Sequence, residues 1–479
     1  MVRPLALSLL ALALSACTVG PDHVRPDMPI PGQFVRATEL PAAAADVADR
    51  AAPFWGRMGD PMLASLVEEA LVANHDLRAA LANLDRARAL LRGARFDQAP
   101  TITAGADASE TRASRDQPGG SDTRVVRSYA AQVGAQWEID LFGRVRRAVE
   151  AQQADAWASV GDLDALQVAV VGELARTYVD LRGQQERLRV ARANADVQRE
   201  TLRLVDAFDA AGRGTAFDTA RSRAQLASTE ARIPALEAAE AIAMHRLAVL
   251  TGRMPGELIE RLKTPAPIPA VHADVADETP ASLLRRRPDV TAAEHRLHAA
   301  TARIGVSTAD LFPRLTLGGL LGTQATSAGD LFGSGSRTGI VALGIDWSFL
   351  DVGRVRARIR AAEVGADGAL AQYQQTVLLA LEETESAFVR HARTQREAGH
   401  LERSAADSAE AARLARLRFE AGASGLLDVL DAERSRLQAE DALVDARARA
   451  AASGVAVYTA LAGGWPDRVA TKRTFGHTR

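Results

Sequence analysis

The sequence is a tandem duplication, and each copy contains a run of more than sixty residues without a proline. Gly143 to Phe208 is 66 residues long and Gly353 to Phe419 is 67. At about 1.5 Å per residue, each run predicts a single helix of roughly 100 Å. No globular core spans that distance, so such helices must pack against partners of similar reach. The duplication itself is read from ordered matches. Asp76-Leu77 to Leu91 matches Asp289-Val290 to Ile304 at a separation of 213, and Pro100, Thr103 and Gly105 match Pro313, Thr316 and Gly318 at the same separation. Trp137 with Gly143-Arg144-Val145-Arg146 matches Trp347 with Gly353-Arg354-Val355-Arg356 at 210, and Gly212 matches Gly422. Asp218 with Arg221-Ser222-Arg223 matches Asp431 with Arg434-Ser435-Arg436 at 213. Repeats at drifting separations mean two homologous halves with small insertions.

Each half reads as helix, two strands, long helix, turn, helix. Leu370, Tyr373, Val377, Leu381, Thr384 and Phe388 follow a three-four spacing, while Leu430, Leu437, Val444, Ala451 and Tyr458 fall seven apart, as in a coiled-coil seam. Two shorter helices, about Asn74 to Arg95 and Thr215 to Leu250, together approach the length of the long one, which predicts end-to-end stacking beside it. Pro234 predicts a kink in the second of them. The strand expectation rests on period two. Tyr129, Ala131, Val133, Ala135, Trp137 and Ile139 alternate with small or polar residues, and so do Val341, Leu343, Ile345, Trp347 and Phe349. Partner strands are expected at Thr101–Ala108 and Leu315–Leu321, joined through Gly-rich loops at Ser109–Arg127 and Thr323–Arg337.

Strands of about ten residues with one apolar face suit a transmembrane barrel. Four strands cannot close one, because an open edge in lipid leaves backbone groups unsatisfied. The chain must therefore oligomerise if its strands enter a membrane; two copies would give eight strands and three would give twelve.

Composition narrows the class further. Aromatic residues number only 21 of 479 while apolar content is 47%, much of it alanine, which favours closely packed long helices. The net charge of −2 leaves no basic footprint for nucleic acid. One cysteine excludes internal disulfides and multi-Cys metal sites. Beyond the N-terminus no apolar run is long enough for a membrane helix. No phosphate-binding Gly loop and no nucleophile motif occurs, so the chain does not read as an enzyme. His295 and His298 are i,i+3 without a third ligand nearby in sequence and read as a solvated pair; no metal site is expected.

Arg3 and the apolar stretch Leu5 to Leu14 form a secretory signal ending at Leu14-Ser15-Ala16-Cys17. That ending resembles the bacterial lipobox and marks Cys17 for acylation, with no cofactor other than this covalent lipid. The expected organisation is a signal peptide at 1–16, a lipidated proline-containing tether at 17–60, a first repeat at 61–262, a linker at 263–280, a second repeat at 281–464 and a tail at 465–479.

The run Ser282-Leu283-Leu284-Arg285-Arg286-Arg287-Pro288-Asp289-Val290, continuing to Asp310-Leu311-Phe312-Pro313, resembles the outer-membrane efflux protein (TolC-like) family. It is most similar to the lipoprotein branch serving resistance–nodulation–division pumps. Trp137-Glu138-Ile139-Asp140-Leu141-Phe142-Gly143-Arg144, Leu250-Thr251-Gly252-Arg253-Met254-Pro255-Gly256 and Cys17-Thr18-Val19-Gly20-Pro21-Asp22 fit the same pattern. The resemblance implies a homotrimer: a twelve-stranded outer-membrane β-barrel, four strands per protomer, above a long α-helical periplasmic barrel with a closable tip. It also implies a periplasmic adaptor and an inner-membrane transporter as partners. Thr18 after Cys17 favours sorting to the outer membrane.

The turns 208–215 and 419–426 are the expected tip. Glycines there end one helix in the left-handed region, and Thr215 or Ser424 helps start the next. The resemblance makes Gly212, Gly214, Thr215, Gly422 and Gly425 adaptor contacts. It makes Leu427 and Asp431 the narrowest ring of a periplasmic gate, with Asp428 beside them and Arg434 in the closing network; Asp218 and Arg221 are the repeat counterparts of Asp431 and Arg434. Phe419 stands where members of the family often carry a tyrosine, so that network lacks one hydroxyl. Tyr129, Trp137, Trp347 and Phe349 are candidates for an interfacial aromatic girdle, or for packing at the strand–helix junction. The expected function is a passive exit duct for drugs or toxic solutes. The alternatives are the outer-membrane duct of a type I protein secretion system and, in another class, a trimeric coiled-coil scaffold or adhesin.

Overall fold

The computed structural model describes residues 18–37, 54–112, 125–271 and 279–462. Cys17, the signal stretch before it and the C-terminal tail lie outside the described residues. Helix α1 spans Pro61–Ala73 and α2 His75–Phe96; strands β1 (Thr101–Arg112) and β2 (Val125–Ile139) follow. The long helix α3 runs Arg144–Ala210 and is succeeded by α4 (Ala216–Glu230) and α5 (Arg232–Leu250). The second copy repeats the order with α6 (Pro280–Arg286), α7 (Pro288–Ala309), β3 (Arg314–Ala325), β4 (Arg337–Asp346), α8 (Val352–Glu420) and α9 (Leu426–Leu461).

The two long helices have 67 and 69 residues and begin and end within two residues of their expected limits. The proline-free runs are therefore helices throughout. The break expected from Pro234 is present: α4 ends at Glu230, four residues before the proline. A proline ring collides with the carbonyl four residues back and supplies no N–H. The equivalent α9 carries no proline and is unbroken over 36 residues. Its seven-residue seam is buried at Leu437, Val444, Ala451 and Tyr458.

End-to-end stacking of short helices also occurs, and the residues that join them are explicit. Asn74 caps α2, its Oδ1 accepting from the backbone of Asp76 and Leu77, while its Nδ2 donates to Leu250 O at the end of α5, 2.9 Å away. In the second copy Arg287 stands at the corresponding position. It donates to Ala460 O at the end of α9, to Asp289 at the start of α7 and to Glu383. Arg286 donates to Leu461 O. Carbonyls at helix C-termini have no partner within the helix, and cations there also suit the macrodipole.

The four strands form one antiparallel sheet in the order β1-β2-β3-β4. Its strands exceed their expected limits: β1 reaches Arg112, β2 begins at Val125 and β3 reaches Ala325, all inside the segments expected to be loops. Ladder hydrogen bonds need only backbone, so pairing continues where the side-chain alternation has faded. At the other end β4 stops at Asp346, and Trp347 and Phe349 lie beyond it rather than within it.

The chain divides into two compact units, each drawing on both copies. Of the described residues, the first contains 18–27, 82–112, 125–161 and 291–376, hence the whole sheet; the second contains 28–37, 54–81, 162–271, 279–290 and 377–462, hence both helix–helix turns. In the second unit Phe34, Leu283, Phe388, Val457 and Leu461 form a buried cluster, with Phe34 edge-on to Phe388 at 5.3 Å. A polar knot ties the chain there as well. Buried Arg182 donates to Tyr178 Oη, to Gln185 and to Thr264 O, and Tyr178 donates to Asp60, the N-cap of α1. Burial, reinforced by the bond to Asp60, pushes the Tyr178 hydroxyl up to about 12.

Of the segment expected to be a tether, residues 18–36 form neither helix nor strand, and their first residues lie against the helices. Val19 N donates to Phe142 O at 3.2 Å, and glycines make the approach possible. Gly20 has φ +90°, and a Cβ there would sit 2.4 Å from Gly305 Cα. A Cβ on Gly143 would sit 2.5 Å from Thr18 Cγ2.

Candidate functional site

The sheet, the two turns and the start of the expected tether, residues 18–27 and here called the N-terminal strap, are the segments the sequence singled out. In the sheet, register builds one continuous apolar face. Ile139, Leu315 and Ile345 stand in a row across three strands, as do Trp137, Leu317 and Leu343. Val133 with Leu321 and Ala135 with Gly319 and Val341 continue it, and Ala104 and Ile102 extend it onto β1. The opposite face carries Gln132, Gln136 and Glu138 opposite Gly322, Gly318 and Thr316. None of the strand residues is buried. Val341, Leu343 and Ile345 are 82%, 62% and 68% exposed, far beyond what a soluble sheet leaves in water in one patch. Both β1 and β4 are edges.

The aromatic candidates divide. The Trp137 indole donates to Gln98 O and the Trp347 indole to Leu311 O, each at 3.0 Å. Both tryptophans thus tie a strand end to the turn that precedes β1 or β3. Phe349 packs on Trp347 at 5.3 Å. Tyr129 is eight residues from Trp137 on the same face, about 26 Å along the strand at roughly 3.3 Å per residue. That separation matches the roughly 25 Å apolar band of outer-membrane barrels.

At the turns, Gly212 and Gly422 have φ of 69° and 70°, the left-handed conformation that ends a helix. Gly214 is held by space: a Cβ would lie 2.9 Å from Asp209 N. Thr215 caps α4, accepting from Asp218 N while its hydroxyl donates to the Asp218 carboxylate at 2.6 Å. The second turn differs from expectation. Gly425, not Ser424, is the N-cap of α9 and supplies no side-chain bond, and the Ser424 hydroxyl is buried without a partner.

The repeat register is also corrected here. Backbone bonds Arg213 N to Phe208 O and Ala423 N to Arg418 O are equivalent, and α4 and α9 begin at Ala216 and Leu426. The turns therefore correspond at a separation of 210. Asp218 is the counterpart of Asp428, and Arg221 the counterpart of Asp431. The separation of 213 suggested by the Arg-Ser-Arg motif is displaced by three residues, close to one helical turn.

The structure brings together Asp431, Arg434 and Arg221. Asp431 accepts from Arg434 at 2.7 Å and faces Arg221 at 3.7 Å. Two repeat-equivalent positions thus carry opposite charges and pair with each other. Phe419 meets Phe208 edge-on at 5.9 Å, with the Arg213 guanidinium 5.6 Å over the Phe208 ring. Phe208 was not anticipated; its signal was an aromatic in each turn. Leu427 is 45% exposed and Asp428 is exposed.

Sequence reasoning also missed the strap contacts. Arg147, almost fully buried, donates to Val19 O, Gly20 O and Asp22, and to Glu150 on its own helix. Among the described residues no group of His, Cys, Asp and Glu is arranged to hold a metal. No described helix is long and apolar enough to cross a membrane.

The profile of the family described as outer membrane efflux protein matches residues 66–253 and 279–463. The chain belongs to that family. It is 33% identical over 473 residues to Outer membrane protein OprJ of Pseudomonas aeruginosa, covering 96% of this chain and 95% of that one. It is 32% identical over 433 residues to Nodulation protein T of Rhizobium leguminosarum bv. trifolii, covering 89% and 90%. The solved structure of the outer-membrane channel OprN superposes with a TM-score of 0.86 at 40% identity, covering 94% of this chain and all of that one. The fold of this efflux protein is that of an outer-membrane channel protomer, and its place is the outer membrane. Family members are channel proteins. The exposed apolar face of the sheet accordingly meets lipid.

Proposed function

We propose that this efflux protein assembles as a homotrimer whose twelve strands close an outer-membrane barrel. In this reading it is the passive exit duct of a tripartite system for drugs or toxic solutes. Energy comes from an inner-membrane resistance–nodulation–division transporter, and a periplasmic adaptor connects the two. The observation that carries this reading is the four-stranded sheet with an unburied apolar face and two open edges. Such a sheet is stable in lipid only when other copies satisfy its edges.

The adaptor meets the turns at Gly212, Gly214, Thr215, Gly422 and Gly425. Leu427, Asp428 and Asp431 form the narrow ring, where symmetry-related carboxylates attract cations. The Asp431 pairs to Arg434 and Arg221 hold the ring closed, and Phe419 contributes through Phe208 in place of a hydroxyl. Adaptor binding opens the ring by contacting the open arrangement better than the closed one. Acyl chains on Cys17 anchor the strap, and Tyr129, Trp137, Trp347 and Phe349 mark the two membrane boundaries.

The test is conductance of the purified protein in planar bilayers. The parent chain gives small, cation-preferring steps, and D431A/R434A raises the conductance severalfold. No conductance from either protein overturns the duct; equal conductance from both overturns the gate.

A further inference from the structure

Where the strap crosses α3 and α7, three histidines from two segments distant in sequence converge. His23 of the strap stacks on His298 of α7, ring centroids 4.6 Å apart and nearly parallel at 11°. His298 Nε2 lies 2.8 Å from Glu150 of α3. One turn earlier on α7, His295 stacks against Trp157 of α3. A recess of about 390 Å³ opens beside them, lined by Trp157, His295, His298, Glu150, Gln153 and Gln98. We propose that this cluster is a pH-sensitive latch for the N-terminal strap: neutral imidazoles hold residues 18–27 on α3 and α7, and protonation in mildly acidic surroundings releases them.

The charges around His23 set the direction. Its neighbours on α7 are His298, His295 and Glu294, and on α3 Glu150. The strap's own charges are Asp22, Arg25 and Asp27. Both glutamates are already engaged, Glu294 with Arg25 at 3.3 Å and Glu150 with Arg147 and His298. Asp22 is held by Arg147. A proton added to His23 therefore meets two imidazoles that repel it, while Glu294 and Glu150, which attract it, are shared with Arg25 and Arg147. Burial, with His298 next, already lowers the His23 ring below its ordinary value, and burial lowers His295 as well. A free strap thus takes up its proton at a higher pH than a docked one. Docking is at full strength above about pH 6.5, the ordinary histidine value, and weakens as the pH falls below it. Burial alone would raise the Glu150 carboxyl, but hydrogen bonds from His298 and Arg147 hold it below the usual range. It therefore remains charged while His23 takes up its proton. The strap begins one residue after Cys17, so the latch controls how firmly the proposed lipid anchor is coupled to the helices beneath the strands.

Val24 is 78% exposed and adjacent to His23, so V24C carries a nitroxide label without filling the contact. Continuous-wave electron paramagnetic resonance of the full-length protein in detergent is recorded from about pH 8 to about pH 5, with the signal of the identically labelled parent subtracted. The expected result is a mobile fraction that rises severalfold as the pH falls below about 6.5. In V24C/H23Q/H298Q that rise is lost, whether the label is immobile or mobile throughout. A fraction that stays constant in V24C overturns the latch. So does a rise with an unchanged midpoint in V24C/H23Q/H298Q, which would assign the change to Asp22, Glu150 and Glu294.

Discussion

Asn74 and Arg287 occupy corresponding positions 213 residues apart and do the same work with different chemistry. The amide of Asn74 bridges Leu250 O and the first N–H groups of α2, while Arg287 bridges Ala460 O and two carboxylates. Arg287 is only 9% exposed, so removing it strands a buried carbonyl and leaves Glu383 and Asp289 without their cation. R287A should destabilise the junction of α7 and α9 by about 2–4 kcal/mol. Hydrogen exchange in the last turn of α9 and the thermal midpoint would both register it; an unchanged midpoint would mean that the cap contributes nothing. These roles were hidden in the sequence for a physical reason. The Arg-rich run Arg285-Arg286-Arg287 announces charge, but which carbonyl each guanidinium reaches depends on a helix end more than 170 residues away. Arg147 is similar, since its partners Val19, Gly20 and Asp22 lie about 125 residues upstream.

Elements were more legible than contacts because their determinants are local. Proline absence specified α3 and α8 to within two residues, and Pro234 located the one break in an otherwise matching pair of helix arms. Strand ends were less legible. The alternation of Tyr129 to Ile139 marks a face, whereas the length of a ladder depends on whether a paired backbone continues beside it. β1 keeps pairing through Ser109, Glu110, Thr111 and Arg112, residues whose side chains give no strand signal. The break between α4 and α5 is testable as an element. With alanine at 234 the N–H returns and the clash with Glu230 O disappears, so P234A should join the two helices and stabilise that segment by about 1–2 kcal/mol. Backbone exchange at residues 228–236 should slow accordingly. If it does not, packing rather than the proline separates the two helices.

At the scale of the molecule, the sheet is the element that one chain leaves incomplete. Among the described residues its apolar face lacks cover, and the outward N–H and C=O groups of β1 and β4 lack strand partners. Sequence patterning revealed the face, because period two is a local property. It could not reveal the copy number, because closure depends on strand tilt and shear among several chains. If β1 of one copy completes the edge left by β4 of the next, the two must be antiparallel like their neighbours within the chain, and side chains on one face must fall opposite each other every second residue. A cysteine at Ala106 in β1, combined in turn with cysteines at Gly339, Val341, Leu343 and Ile345 in β4, samples one face of that seam. Residues at Thr338, Ile340, Ala342 and Gly344 sample the other. Oxidation should produce ladders that end at three chains on denaturing gels, strongest at one position and weaker two residues to either side, and only within a single set. Cross-linking that is equal in both sets would mean that the edges do not pair in register. Its absence everywhere would leave β1 and β4 unpaired in the membrane, which the cost of unsatisfied backbone groups in lipid does not permit, and would refute closure of the barrel by neighbouring copies.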